Sequence, residues 1–147
     1  MVGIIITGHG QFAKGFTSAI ELIAGPQEKY IAVNFENEVD QLTTDLTNAI
    51  ESLQDCDGIL VFSDLAGGSP FKTAALLAAQ HGNMEVIAGT NLPMLAEIVM
   101  ARTFGMDLET LTNMAINTGK DQIVRFDLAS LLNDSQNDEN DDFSDGI

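Results

Sequence analysis

Apolar residues recur along this chain with two alternating spacings, and the order of those spacings predicts its architecture. The opening run, Val2-Gly3-Ile4-Ile5-Ile6-Thr7, is almost continuously apolar and β-branched, as a strand covered on both faces should be. Residues 12–24 then place Phe12, Phe16, Ile20 and Ile23 at helical spacing and stop at Gly25-Pro26, a cap followed by a breaker. The alternation continues with a strand at 30–34 and a helix at 39–53, whose apolar face is Leu42, Leu46, Ala49, Ile50 and Leu53. A strand at 58–62, a helix at 70–81 and a strand at 84–88 follow. Two helices, 92–104 and 108–118, and a short fifth strand at 123–126 complete the pattern. Strands separated by helical stretches imply right-handed βαβ crossovers and a mainly parallel sheet with helices on both faces. The expected fold is therefore an α/β/α three-layer sandwich. With a strand order of 2-1-3-4, strands one and three are neighbours and the winding reverses between them, so their carboxyl ends line one crevice.

The candidate chemistry lies at those two ends. Strand one runs into Gly8-His9-Gly10, where flanking glycines leave the imidazole uncovered and able to act as base, ligand or nucleophile near neutral pH. Strand three runs into Ser63-Asp64-Leu65-Ala66-Gly67-Gly68-Ser69-Pro70. Asp64 emerges beside His9, where its carboxylate can accept one ring proton, fix the tautomer and leave the other nitrogen bare. Ser69 suits the N-cap of the third helix and Pro70 its first position, while Gly67 and Gly68 allow main-chain N–H groups to turn toward an anion. A histidine oriented by an aspartate and facing a helix N-terminus can receive and release a phosphoryl group, with no metal from the protein.

Composition narrows the partners. With 147 residues, 45% of them hydrophobic, one core and one domain are expected over 1–132. No run approaches the ~20 apolar residues of a membrane span. The start of the chain lacks the features of a secretory signal, which favours a cytoplasmic protein. The net charge of −16, from 22 acidic against 6 basic residues, argues against nucleic acid or an anionic membrane as partner. Part of that charge lies in 133–147, a segment poor in apolar residues that is expected to be a disordered acidic tail.

Three segments, Val2 to Gly10, Ser63-Asp64-Leu65-Ala66-Gly67-Gly68-Ser69-Pro70-Phe71 and Val86-Ile87-Ala88-Gly89-Thr90-Asn91-Leu92-Pro93-Met94-Leu95, resemble the IIA component of the mannose-family sugar phosphotransferase system. The resemblance runs to about Leu132. It matches His9 to the family's phosphorylated histidine, Asp64 to its orienting aspartate and Gly67 through Pro70 to its Gly-Gly-Ser-Pro turn, in which Ser69 stabilises the phosphoryl group. It implies a phosphotransferase component, without a cofactor, that carries a phosphoryl group from HPr through His9 to a histidine of the IIB component. The IIC and IID membrane components would bind the sugar, so mannose, fructose, sorbose, an amino sugar and gluconate all stay open. It further implies a homodimer that exchanges the short fifth strand, running antiparallel. Leu65-Ala66 departs from relatives that carry a polar residue and an aromatic there. No linker into a IIB domain follows, so a free-standing IIA protein is expected.

Plainer readings compete at each position. His9 can simply end a strand, Asp64 can cap a turn, and Ser69 is an N-cap whatever else it does. His81, before Gly82, suits a helix C-terminus. Cys56 lies between Asp55 and Asp57, which disfavours its thiolate. Met94, Met100 and Met106 read as core or dimer packing. Gly8-His9-Gly10-Gln11-Phe12-Ala13 also fits a dinucleotide fingerprint, with Glu36 loosely placed for a ribose, but the chain has no second mononucleotide-binding half. A non-catalytic flavodoxin-like regulatory domain is the other alternative, and it leaves the pairing of His9 with Asp64 unexplained.

Overall fold

Strand β1 (Gly3–His9) lies inside a four-stranded parallel sheet of order β2-β1-β3-β4, with β2 at Tyr30–Phe35, β3 at Ile59–Ser63 and β4 at Met84–Ile87. The computed structural model describes residues 1–137. Successive β1 side chains leave opposite faces of the sheet. Ile4 and Ile6 join Leu60 and Phe62 under helices α1 (Phe12–Ala24), α4 (Leu92–Ala101) and α5 (Leu108–Asp121). Ile5 joins Val33 and Val61 under α2 (Val39–Ser52) and α3 (Ser69–His81). Ile4, Ile5, Ile6, Leu60 and Phe62 are all fully buried. At roughly 1.5–3 kcal/mol for each such side chain, the β1–β3 seam is the firmest floor on which a site could stand. Among the described residues no helix is long and apolar enough to cross a membrane.

The expected three-layer sandwich and strand order are both present. Several boundaries differ. The helix expected over 92–104 is α-helical only to Ala101 and tightens to a 3-10 turn at Arg102–Phe104, which Gly105 closes at φ 80°. Ser69 was expected at the N-cap of α3, but Gly68 occupies it in an extended conformation and Ser69 is the first helical residue. The expected fifth strand at 123–126 lies outside any helix or strand in the single chain, with Ile123, Val124 and Phe126 exposed. A strand of that length needs an edge to pair with, and among the described residues the segment is not part of the sheet, whose edges are β2 and β4. Helix α6 (Leu128–Asn137) crosses the expected start of the disordered tail at 133. Asp127 nucleates it by accepting from the Ala129 N–H at 3.1 Å and the Ser130 hydroxyl at 2.8 Å. The rest of the expected tail, 138–147, lies outside the described residues.

Arg102 is 1% exposed, an unusual place for a guanidinium. Its Nη1 donates to Val2 O at 3.0 Å and Lys29 O at 2.9 Å, and its Nη2 donates to Glu28 O and to Gln27 Oε1. Burial pushes its pKa down from the ordinary value. The side chain thus ties the end of α4 to the start of β1 and to the α1–β2 loop, at the end of the sheet away from His9. Arg102→Met keeps the apolar stem and takes the guanidinium donors from those carbonyls, of which Lys29 O keeps only the Ile4 N–H. It should lower the unfolding free energy by about 3 kcal/mol, read as a fall in the urea midpoint at unchanged slope.

Candidate functional site

His9 is the last residue of β1, and glycines on either side set its exposure. A Cβ on Gly8 would lie 2.4 Å from the Phe12 ring, so only glycine lets the first residue of α1 fold back over the strand. Gly10 adopts φ 57° and donates its N–H to Phe35 O at 2.6 Å, which turns the chain away from the sheet. The imidazole is left projecting, 46% exposed.

Asp64 follows β3, on the strand next to β1. One carboxylate oxygen, Oδ2, accepts from the His9 main-chain N–H at 2.8 Å and lies 2.8 Å from His9 Nδ1. The other, Oδ1, accepts from the Leu65 N–H at 2.7 Å. Burial resists ionisation of this carboxyl, but the hydrogen bonds from the His9 main chain and ring and from Leu65 outweigh it, and the pKa falls below the ordinary carboxylate value. Ionised, Asp64 can only accept. The shared proton therefore belongs to Nδ1, and in the neutral ring Nε2 carries a free lone pair. The backbone of Asp64 is held in turn, because its carbonyl accepts from Gly89 N–H at 2.8 Å. Buried Thr90 donates to Ser63 O at 2.7 Å, and the Ser63 hydroxyl donates to Ile87 O at 2.8 Å.

The Gly67-Gly68-Ser69-Pro70 turn reaches the same place. A Cβ on Gly68 would sit 2.5 Å from His9 Cε1 and 3.3 Å from Nε2, so this glycine lies against the ring. Its N–H is donated to Leu65 O at 3.2 Å and is spent on the turn. Gly68 therefore contributes space rather than a donor. The N–H groups of Ser69 and Phe71, in the first turn of α3, stand outside the helical ladder and can face an anion. At Gly67 nothing would crowd a Cβ, and the main chain is open.

His9, Asp64, Gly68 and Ser69, named from the sequence, thus converge at one end of the sheet. Phe35 was missed. It ends β2 opposite His9 in the strand register, and its ring centroid lies 5.6 Å from the imidazole at an interplanar angle of 76°. The predicted strand stops at 34, and only the register shows that Phe35 ends β2 at the level of His9. Glu36, weighed as a ribose acceptor, accepts from Gln11 Nε2 at 3.0 Å. His81 lies far along α3, its Nδ1 3.1 Å from Leu77 O in the last turn, as a terminal cap. Burial first, and Asp55 second, push the Cys56 thiol pKa up, which suits an unreactive thiol. Met94 is buried and Met106 packs against the core, while Met100 is half exposed.

Comparison with known proteins places the whole chain rather than the individual residues. Residues 3–116 match the EIIA-man family model, described as PTS system fructose IIA component. The chain is 32% identical over 125 residues to the PTS system mannose-specific EIIAB component of Escherichia coli, a match covering 83% of this chain and 38% of that protein. It thus spans well under half of that two-part relative. It is 31% identical over 104 residues to the PTS system fructose-specific EIIA component of Bacillus subtilis, covering 69% of this chain and 71% of the other. The crystal structure of phosphotransferase system component EIIA from Streptococcus agalactiae superposes with a TM-score of 0.79 at 35% identity, covering 86% of this chain and 98% of that one. With the family model spanning most of the sandwich and both strand ends that form the site, this chain belongs to the mannose-family IIA components of the sugar phosphotransferase system.

Proposed function

We propose that His9 is a transient phosphoryl carrier, charged by phospho-HPr and discharged to a histidine of a IIB component. The observation that carries this reading is the Asp64 carboxylate on His9 Nδ1, which leaves Nε2 as an exposed nucleophile. The Nε2 lone pair attacks the phosphorus of the donor phosphohistidine as the donor's P–N bond breaks, and the electron pair of that bond returns to the donor imidazole. The ring acquires positive charge in this step, and the Asp64 carboxylate stabilises it. The phosphoryl oxygens would meet the main-chain N–H groups of Ser69 and Phe71, with Ser69 Oγ as a further donor. Since no bond to the sugar is made or broken here, sugar identity is a property of the membrane partners. The reading places the protein in the cytoplasm with HPr. The apolar groove lined by Phe12, Phe16, Ala19 and Leu92 borders the same end of the molecule.

We further propose that 123–126 completes the sheet of a second copy. The segment carries exposed Ile123, Val124 and Phe126, and β4, an edge of the sheet, pairs only with β3 among the described strands. Exchange of a short strand between identical subunits reuses the same contacts twice and covers the β4 edge of each copy.

Incubation with phosphoenolpyruvate, the general phosphotransferase enzyme and HPr should place one acid-labile phosphate on His9, located by mass spectrometry. His9→Gln should abolish the label while His81→Gln retains it; label persisting on the His9 variant would overturn the assignment. In Asp64→Asn an amide can favour the wrong tautomer, so stopped-flow transfer from phospho-HPr should slow by about 10²–10⁴-fold. Because Asp64 titrates below its unfolded value, its stabilising contribution is complete above the ordinary carboxylate range and lost as pH falls through the lowered folded value. Wild-type and Asp64→Asn stabilities should therefore differ at neutral pH and converge in acid, measured by urea unfolding across pH. Sedimentation equilibrium should show a dimer at micromolar concentration and a monomer or aggregate after deletion of 123–126; a monomeric full-length chain rules out the exchange.

A further inference from the structure

His9 is half exposed, so no surrounding core resists rotation of its ring. The terminal torsion of a histidine is broad and close to two-fold, and a half-turn would exchange Nδ1 with Cδ2 and Nε2 with Cε1. The Asp64 hydrogen bond would then be lost and a carbon would face the acceptor. Two contacts besides Asp64 bear on that rotation. Gly68 lies against the Cε1 edge, close enough that a Cβ there would be 2.5 Å away. Phe35 meets the imidazole in a T-shaped arrangement at 5.6 Å, within the range aromatic pairs prefer.

Phe35 is itself firmly placed. It ends β2 in register with His9, and its carbonyl receives the Gly10 N–H at 2.6 Å, so one residue anchors the main chain just beyond His9 and touches its side chain. Its ring also packs on the core beneath α2 and α3, which by itself would account for an apolar residue at this position. That role does not require the T-shaped contact with the imidazole.

We propose that Phe35 is a positioning residue: its ring and Gly68 hold the His9 imidazole in the single orientation that gives Nδ1 to Asp64 and Nε2 to the phosphoryl group. The proposal rests on the reading of His9 as the carrier. It makes the aromatic ring, not only apolar bulk, the requirement at position 35.

The test uses the full chain and a small phosphoryl donor, phosphoramidate. Ring nitrogen and phosphorus form a bond, the donor P–N bond breaks and ammonia leaves. Imidazole ¹⁵N spectra of His9 report the tautomer, and ³¹P spectra separate the Nε2 from the Nδ1 phosphoryl isomer. Wild type and Phe35→Tyr should show the Nδ1–H tautomer and one Nε2 product. Phe35→Ala and Phe35→Leu should show mixed tautomers, a mixture of isomers and about tenfold slower incorporation, in line with the cost of small misplacements in positioned groups. Phe35→Leu keeps the apolar bulk and carries the test if Phe35→Ala does not fold. Wild-type tautomer, isomer and rate in Phe35→Leu would overturn the proposal, even with a lowered melting temperature, because Phe35 would then only cover the core. A wild-type protein with a single Nδ1–H tautomer that takes no phosphate from HPr would instead break the functional reading.

Discussion

Everything at the site depends on β1 and β3 being parallel neighbours, with Thr7 opposite Ser63 in the register. His9 and Asp64 are 55 residues apart in the chain, and the strand pairing alone brings them together. Parallel register brings both strands to their carboxyl ends at the same level, so the residues just beyond the ladder face one another across the opening where the winding reverses. A slip of one residue would send each strand's side chains to the opposite faces. The slip is opposed by the fully buried Ile4, Ile5, Ile6, Leu60 and Phe62, each committed to one of the two cores.

The electrostatics follow from that placement. The charge of Asp64 is held by the N–H groups of His9 and Leu65 and by the imidazole. A carboxylate so held remains ionised and remains an acceptor, which fixes the proton on Nδ1 whatever the surface charge of the chain. The strongly acidic composition sets the protein's long-range field and tells little about the surroundings of His9.

Close approach matters as much as hydrogen bonding. Gly8 admits the Phe12 ring and Gly68 admits the imidazole, and in each case the missing Cβ is the useful property. The turn before α3 reads as an anion cradle, yet the Gly68 N–H is consumed within it, leaving Ser69 and Phe71 to offer donors from the first helical turn. At the opposite end of the sheet, Arg102 gathers the carbonyls of Val2, Glu28 and Lys29 and ties β1 to two other segments. The His9 end is open and the Arg102 end is closed.

The alternation of apolar runs and helical spacings sufficed for the sandwich, because each element buries a stripe written in consecutive residues. His9, Asp64 and the Gly-Gly-Ser-Pro turn were legible for a similar reason, since each ends or begins an element whose position the pattern predicts. Tertiary structure decided what depends on residues distant in sequence. The ring of Phe35 on His9, the N-cap passing from Ser69 to Gly68 and the burial of a cationic Arg102 leave no periodic trace. Residues 123–126 mark the limit from the other side. Their apolar, β-prone sequence suits a strand, but a strand exists only where it pairs with an edge, and in the single chain 123–126 lies outside the sheet.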